Sequence, residues 1–152
     1  MPLGVAFGIL FNDLGYAWYF ATLMAVFVYA GAAQFMIIGL LAAGAGLFEI
    51  FIATFLLNSR HIFYGLSMLK KFGDWNLKKI YLAFGLTDET YSLVTTIESP
   101  HGIQPIDYYF SITALNHSYW VIGCTLGAWI GASIQINTQG MDFALTALFV
   151  VL

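Results

Sequence analysis

The sequence predicts an all-α integral membrane protein, a polytopic helical bundle in which some of the helices are broken. Two observations lead to this prediction. Hydrophobic residues make up 61% of the 152-residue chain and charged residues only 9%, whereas about 25% of the residues of a soluble domain are charged. The apolar runs are also long, and a helix satisfies its own backbone hydrogen bonds inside a bilayer. We expect one transmembrane domain over residues 1–152.

The first and the last apolar segments are short. Residues 2–11 and 143–152 are apolar runs of about ten residues each, whereas a spanning helix needs about 20. We therefore expect the chain to be truncated at both ends, and half-spanning end helices are the alternative.

The uncharged run from Leu14 to Phe48 is about 35 residues long, which is too long for one spanning helix. Its centre predicts a break, with one helix ending near Gly31 and the next one starting near Ala33. Broken helices at membrane depth are tolerated where they line a cavity. Gln34 follows the break and is a candidate for that cavity. A hydrogen bond to a neighbouring helix is the alternative.

The apolar run 47–69 carries Asn58, Arg60 and His61. As one helix of about 23 residues it is long enough to cross a bilayer. Charged groups at membrane depth are costly and usually face a partner, a cavity or a pathway. We expect these side chains to line a polar cavity. The alternative is a polar helix end, where Arg60 reaches the headgroups and the other two bond a neighbouring helix.

The basic residues mark one loop of the chain. All five Lys and Arg residues lie between Arg60 and Lys79. Positive charge concentrates in the cytoplasmic loops of membrane proteins. We therefore predict that loop 70–79 is cytoplasmic.

A second polar stripe lies on the predicted helix 80–97, which contains Thr87, Asp88 and Glu89. This stripe is acidic and enters the membrane from the cytoplasmic side. Arg60 and Asp88 are therefore predicted either to pair with each other or to contact a ligand, and pairing is the favoured interpretation.

Segment 107–135 is again longer than one span. Its polar centre at 113–118 predicts an interruption that carries Asn116 and His117. Three glycines then recur every four residues, which is typical of a face for close helix contact. They are Gly123, Gly127 and Gly131.

A short internal match indicates a repeat. The stretch Ala6–Ile9 resembles Ala83–Leu86, and each stretch opens a set of helical segments. If each set crosses the membrane three times, the two halves run in opposite directions. The match therefore favours an inverted repeat, with a site at the repeat interface.

Several kinds of site are missing from the sequence. Cys124 is its single cysteine, so there is neither a disulfide framework nor a metal-ligand spacing. It contains no zinc-protease or nucleophile-elbow motif and no basic patch for nucleic acid. We therefore predict that the protein is not an enzyme and needs no cofactor.

Three stretches in order carry a family resemblance: YAGAAQFMIIGLLAAGA from Tyr29, TFLLNSRHIFYG from Thr54 and LAFGLTDETYSL from Leu82. They resemble the AzlC-like branched-chain amino-acid permeases. The resemblance implies a multi-pass exporter of valine, leucine and isoleucine in the bacterial inner membrane. It also implies a separately encoded partner, a small hydrophobic subunit of the AzlD type. The family's motif positions fall on Gln34, Asn58, Arg60, His61, Thr87, Asp88 and Glu89.

An amino-acid substrate has two charged ends and an apolar side chain. Arg60 or the helix start after Gly31 is the candidate for its carboxylate. Asp88 or Glu89 is the candidate for its ammonium group. The candidates for an apolar pocket are Phe35, Met36 and Phe63.

Coupling to protons is the expected energy source, since there is no nucleotide-binding motif. Imidazole groups exchange protons near neutral pH, which makes His61 and His117 the candidates. Asp88 or Glu89 joins them if burial favours the protonated form. The alternative function is a non-transporting membrane scaffold or accessory subunit, which needs only packing faces such as the glycine series.

Overall fold

A computed structural model describes residues 1–68, 71–72, 76–134, 137–138, 140–141, 143, 147 and 150. These residues form helices and connecting turns, and no strand occurs among them. The helices are α1 (Pro2–Asp13), α2 (Trp18–Phe27), α3 (Gly31–Ala42), α4 (Leu47–Asn58), α5 (Arg60–Met68), α6 (Leu77–Phe84), α7 (Asp88–Thr96) and α8 (Pro105–Ser133). Within the described ranges, no helix combines the length and the apolar character that crossing a membrane requires.

The chain divides into two compact units. Unit 1 consists of Met1–Leu57 and Tyr119–Leu152, and unit 2 consists of Asn58–Ser118. Each unit has its own apolar core. Phe7, Ala21, Ala25, Phe35 and Cys124 belong to the core of unit 1, and Phe72, Leu82, Leu86, Val94 and Tyr109 to that of unit 2.

In unit 1 the backbones of α1 and α8 lie very close together. A Cβ atom on Gly127 would lie 2.7 Å from Val5 Cα, and one on Gly123 would lie 2.9 Å from the Met1 carbonyl oxygen. A Cβ atom on Gly8 would overlap the α8 backbone in the same way. Real Cβ atoms do not come this close to backbone atoms, so only glycine fits. The predicted close-contact face is therefore confirmed.

The predicted break in the first long apolar run is present. α2 ends at Phe27 and α3 begins at Gly31, two residues before the predicted start. Between them lies Tyr29, which is 5% exposed and has a φ of +40°. A positive φ is uncommon for a residue with a side chain. The break is therefore a defined corner of the backbone.

Two of the predicted helices are interrupted. The helix expected over 47–69 divides at Ser59 into α4 and α5, and the Ile62 N–H bonds the Ser59 carbonyl three residues back, at 3.1 Å. The helix expected over 80–97 begins at Leu77 and divides at Gly85–Thr87 into α6 and α7. In both cases a charged residue starts the second helix: Arg60 starts α5 and Asp88 starts α7. The two residues pair with each other, as described below.

The interruption predicted at 113–118 is wrong, since α8 runs without a break from Pro105 to Ser133. Asn116 and His117 have partners on neighbouring helices, described below, whereas Thr113 and Ser118 donate to carbonyl oxygens of α8 itself. These polar residues therefore do not interrupt the helix. Residues 70 and 73–75 of the predicted loop 70–79 lie outside the described residues, as does most of segment 143–152. The internal repeat and the single transmembrane domain remain predictions.

Candidate functional site

Unit 2 contains an ion pair between two helix starts. Arg60 is the first residue of α5 and Asp88 the first residue of α7. Arg60 Nη2 lies 2.7 Å from Asp88 Oδ2, and the two side chains are 27% and 20% exposed. A helix start attracts a carboxylate and repels a cation. Asp88 therefore suits its own position and also offsets the unfavourable position of Arg60. The predicted pairing is confirmed.

The contact between α5 and α7 continues one turn beyond the ion pair. Tyr64 and Tyr91 stack with ring centroids 4.5 Å apart and an interplanar angle of 17°. The Ser67 and Tyr91 hydroxyl oxygens lie 3.3 Å apart, and Ser67 donates its proton to the Tyr64 carbonyl oxygen at 2.8 Å, so Tyr91 is the donor between the two hydroxyls. Residues 60, 64 and 67 lie on one face of α5, because they are three or four positions apart. This face of α5 therefore packs against α7. Tyr64 was not among the predicted site residues, although its spacing from Arg60 is a usable signal.

Two acceptor oxygens of unit 2 have no donor. Asp88 Oδ1 and Asn58 Oδ1 are both buried, and neither has a hydrogen-bond partner among the described residues. A buried polar atom without a partner is costly and is expected to have a role. Both atoms are acceptors, so each of them can take a hydrogen bond from a donor. Glu89 follows Asp88 in the first turn of α7 and is half-buried.

His61 is held by the chain that precedes it. Its Nδ1 lies 3.2 Å from the carbonyl oxygen of Asn58. A carbonyl oxygen only accepts, so Nδ1 is the donor. In the neutral ring this leaves Nε2 as an acceptor. The hydrogen bond to Asn58 therefore fixes the orientation of the His61 ring and leaves Nε2 as the nitrogen that can accept a hydrogen bond.

The start of α7 is capped and tied to α8. Thr87 is the N-cap, and its hydroxyl accepts from the Thr90 N–H at 3.4 Å. The Asn116 amide on α8 donates to the Thr90 hydroxyl at 3.1 Å. Thr90 is fully buried. This network holds the helix start that carries Asp88.

His117 lies beside α6. Its Nδ1 is 3.0 Å from the Tyr81 hydroxyl, and its ring also meets the Phe84 ring edge-on. Asn116 and His117 are thus neighbours on α8 that contact different helices of unit 2. Both were predicted site residues, and the structure gives each a structural contact.

Gln34 lies in unit 1 and the other predicted site residues lie in unit 2. Trp120 Nε1 donates to Gln34 Oε1 at 2.8 Å, so the predicted bond to another helix exists. Gln34 Nε2 is buried and has no partner in the described part of the chain. The Trp120 ring also covers Gly31, where a Cβ atom would lie 3.1 Å from Cη2. The start of α3 is therefore covered by Trp120.

The three candidates for the apolar pocket are divided between the units, with Phe35 and Met36 in unit 1 and Phe63 in unit 2. Phe35 is 8% exposed and packs on Phe7, whereas Phe63 is 70% exposed. The pocket remains a prediction. Among the described residues no group of His, Cys, Asp and Glu is arranged to hold a metal ion.

Comparison with known proteins relates the chain to membrane proteins. It is 43% identical over 150 residues to an uncharacterized membrane protein of Helicobacter pylori strain J99, covering 99% of this chain and 66% of that protein. It is 37% identical over 150 residues to the branched-chain amino acid transport protein AzlC of Bacillus subtilis, covering 99% and 59%. It is 29% identical over 148 residues to the inner membrane protein YgaZ of Escherichia coli, covering 95% and 60%.

The chain thus spans about two thirds of the length of these relatives or somewhat less. No solved structure matches it. The family model described as AzlC protein matches residues 1–134. The predicted resemblance is therefore confirmed, and this all-helical membrane protein belongs to the AzlC family.

Proposed function

We propose that the chain is part of a secondary transporter that exports branched-chain amino acids across the inner membrane, with a small AzlD-type subunit as its partner. The observation that carries this proposal is the 37% identity to a Bacillus subtilis protein named for branched-chain amino acid transport. The structure supports it with charged groups held at helix starts rather than at the ends of long helices. Such broken helices place polar groups along a transport pathway.

Proton coupling is proposed from two groups of unit 2. His61 Nε2 can accept a proton while Nδ1 keeps its hydrogen bond to the Asn58 carbonyl. A proton on Asp88 Oδ1 would neutralise the carboxylate and weaken its ion pair with Arg60, which would link proton binding to the contact between α5 and α7. Imidazole exchanges protons near neutral pH. Transport in vesicles is therefore expected to follow an imposed pH gradient. His61→Ala is expected to transport leucine without responding to that gradient, whereas a wild type that ignores the gradient would contradict the coupling.

The scaffold function is less well supported. Its sequence argument was the glycine face at Gly123, Gly127 and Gly131. That face is covered by α1 of the same chain and is therefore not available to another protein.

Efflux of radiolabelled leucine tests the proposal. The full-length protein is expressed in cells together with its small partner, and Arg60→Ala and Asp88→Asn are compared with wild type. Both variants are expected to lower export at least tenfold, since each leaves half of a largely buried pair uncompensated. Lys78→Ala is the matched control, because it removes a cation from the exposed pair with Asp107, whose side chains are 50% and 46% exposed. Absence of leucine export by wild type would contradict the proposed function.

A further inference from the structure

Consecutive helices of unit 2 run in opposite directions. Arg60 pairs with Asp88 and Tyr64 stacks on Tyr91, so α5 and α7 are parallel and begin at the same end. Residues 78, 81 and 84 of α6 contact residues 107, 110 and 117 of α8 in the same order, so these two helices are parallel as well. The chain therefore runs toward the ion pair along α6, turns at Gly85–Thr87 and runs away from the pair along α7.

The end of α7 returns to the level at which α6 and α8 begin. The Lys71 ammonium group donates to the Val94 carbonyl oxygen in the last turn of α7, and it lies 5.1 Å from the centre of the Tyr109 ring near the start of α8. Lys78 in the first turn of α6 pairs with Asp107 in the first turn of α8. A depression of about 560 Å³ lies between these two helix starts, lined by Asn76, Leu77, Lys78, Gln104, Ile106 and Asp107. The chain thus enters α6 and leaves α7 at the same end of unit 2.

The lengths of α6 and α7 limit how far this pair of helices reaches. α6 has 8 residues and α7 has 9, which correspond to about 12 and 14 Å at the rise of an α-helix. The hydrocarbon core of a bilayer is about 30 Å thick. One continuous helix over 80–97, as predicted from the sequence, would carry the chain across most of that core. The hairpin that is present instead reaches about halfway.

The turn between α6 and α7 is suited to membrane depth. Non-helical backbone is tolerated there only where protein or a water-filled cavity surrounds it. Gly85 is buried, and Leu86 and Thr87 are 2% and 7% exposed. The Gly85 N–H bonds the Tyr81 carbonyl oxygen, and the Thr87 hydroxyl caps α7 by accepting from the Thr90 N–H. The turn is therefore enclosed by protein and bonded within it.

The exposed surface changes in character along unit 2. α5 and α6 expose large hydrophobic side chains, which are 46% to 70% exposed: Ile62, Phe63, Leu66, Ile80 and Phe84. On α7 the exposed hydroxyls of Thr95 and Thr96 donate to carbonyl oxygens of their own helix, which satisfies them without water. The chain between α7 and α8 instead exposes charged and polar groups, among them Glu98, His101 and Gln104. In a membrane protein this pattern assigns the helices to lipid and the loop end to water.

We propose that α6 and α7 form a re-entrant hairpin, which enters the membrane from one side, turns inside it at Gly85–Thr87 and returns to the same side. Residues 76–78 and 97–107 then share one side, which the basic residues predict to be the cytoplasmic side. The inference rests on the chain being a membrane protein and not on the identity of a transported substrate. It makes the hairpin the element that carries Asp88 into the membrane, to the depth at which transporters with broken helices bind their substrates.

Labelling with a membrane-impermeant maleimide tests which side each end of the hairpin faces. Lys78→Cys and His101→Cys place thiols at exposed positions before and after it. The single native cysteine of these 152 residues, Cys124, is fully buried and stays in place as an unreactive background. In the full-length protein, with any cysteine outside residues 1–152 replaced, both thiols are expected to react at least tenfold faster in inside-out than in right-side-out vesicles.

Reaction of the two thiols from opposite sides would show that residues 77–96 cross the membrane, and would overturn the hairpin. Reaction of both from the outside would support the hairpin and reverse only the predicted orientation of loop 70–79. Permeabilised vesicles, in which both thiols react, provide the control for the impermeant reagent.

The depth of the turn is measured separately. A fluorophore is attached at Ala83→Cys, an exposed position on α6 close to the turn, and at Lys78→Cys, the matched control on the same helix. Lipids with a nitroxide near the end of the acyl chain are expected to quench the label at Ala83→Cys at least twofold more strongly than lipids with a nitroxide near the headgroup. The label at Lys78→Cys is expected to show the reverse order.

Stronger quenching of both labels by the headgroup nitroxide would place the hairpin on the membrane surface and overturn the inference. Neither measurement uses leucine, so the hairpin and the proposed transport function are judged separately.

Discussion

The two units are held together by different kinds of contact. In unit 1, α1 and α8 approach so closely that glycines on both helices touch the backbone of the other helix. In unit 2 the helices meet through paired side chains: an ion pair, a tyrosine stack and an asparagine–threonine bond. Backbone contact leaves no room for a side chain between the two helices, whereas contacts between side chains can be removed by single substitutions. The comparison therefore predicts that packing substitutions act most strongly in unit 1 and charge substitutions most strongly in unit 2.

The largest expected effect tests the backbone contact of unit 1. Gly127→Leu places a side chain where the Val5 backbone already lies, and backbone cannot move aside as a flexible side chain can. We expect a loss of about 3 kcal/mol or more in folding free energy, at or beyond the upper end for overpacked sites. The readout is the fraction of detergent-extracted protein that elutes as one symmetric peak in size-exclusion chromatography.

Gly39→Leu is the control for that variant, because an added Cβ atom at Gly39 meets open space. It is expected to elute like wild type. If Gly127→Leu also elutes like wild type, the close packing of α1 on α8 is not what stabilises unit 1, and the contrast between the units disappears.

The second largest expected effect tests how much the ion pair between Arg60 and Asp88 stabilises unit 2. Arg60→Leu leaves Asp88 as a largely buried charge without its ion-pair partner, and we expect a loss of about 2–3 kcal/mol. The double variant Arg60→Leu with Asp88→Leu removes both charges and is expected to recover most of that loss. Thermal aggregation midpoints in detergent measure both.

Leucine export separates stability from function in the same variants. The double variant is expected to be stable yet inactive, because the pair positions α5. A double variant that exports normally would show that the ion pair serves only stability. In that case the side-chain contacts of unit 2, like the backbone contacts of unit 1, would serve only stability.

The smallest effect concerns the tie between α8 and the start of α7. Asn116→Ala removes the donor to the Thr90 hydroxyl, which is fully buried. We expect a loss of about 1 kcal/mol, typical of one hydrogen bond. Ser118→Ala is the matched control, since the Ser118 hydroxyl donates to the Ala114 carbonyl oxygen of its own helix. Equal midpoints for the two variants would show that the asparagine bond does not stabilise unit 2.

The sequence predicted the structure correctly at positions where only one type of residue fits the local backbone or the local charge. The contact at Gly127 follows from glycine's lack of a side chain. The break near Gly31 was predicted correctly, although the residue with a positive φ at the break is Tyr29 and not the glycine. The Arg60–Asp88 pair also followed, because two opposite charges in apolar runs have few other partners. The division at Ser59 was missed, since Asn58, Ser59 and Arg60 contain no residue that requires a helix to end.

The error in α8 has a different origin. Asn116 and His117 look like an interruption only while their partners are unknown. Thr90 and Tyr81 lie 26 and 36 residues away, and a single sequence does not show such pairings. A cavity of unit 2 that is lined by Gly65, Phe72 and Lys79 could not be predicted for the same reason, because Phe72 and Lys79 lie outside α5.

The corner at Tyr29 has a consequence for the shape of α2 and α3. A non-glycine residue at a φ of +40° is disfavoured by about 1–3 kcal/mol. Taken alone, that residue would populate the ordinary helical backbone over the observed one by roughly tenfold to a hundredfold. Burial of its side chain, which is 5% exposed, reverses this preference. The corner between α2 and α3 therefore depends on the packing around one aromatic ring, and a substitution that removes this packing is expected to favour the ordinary helical backbone at residue 29.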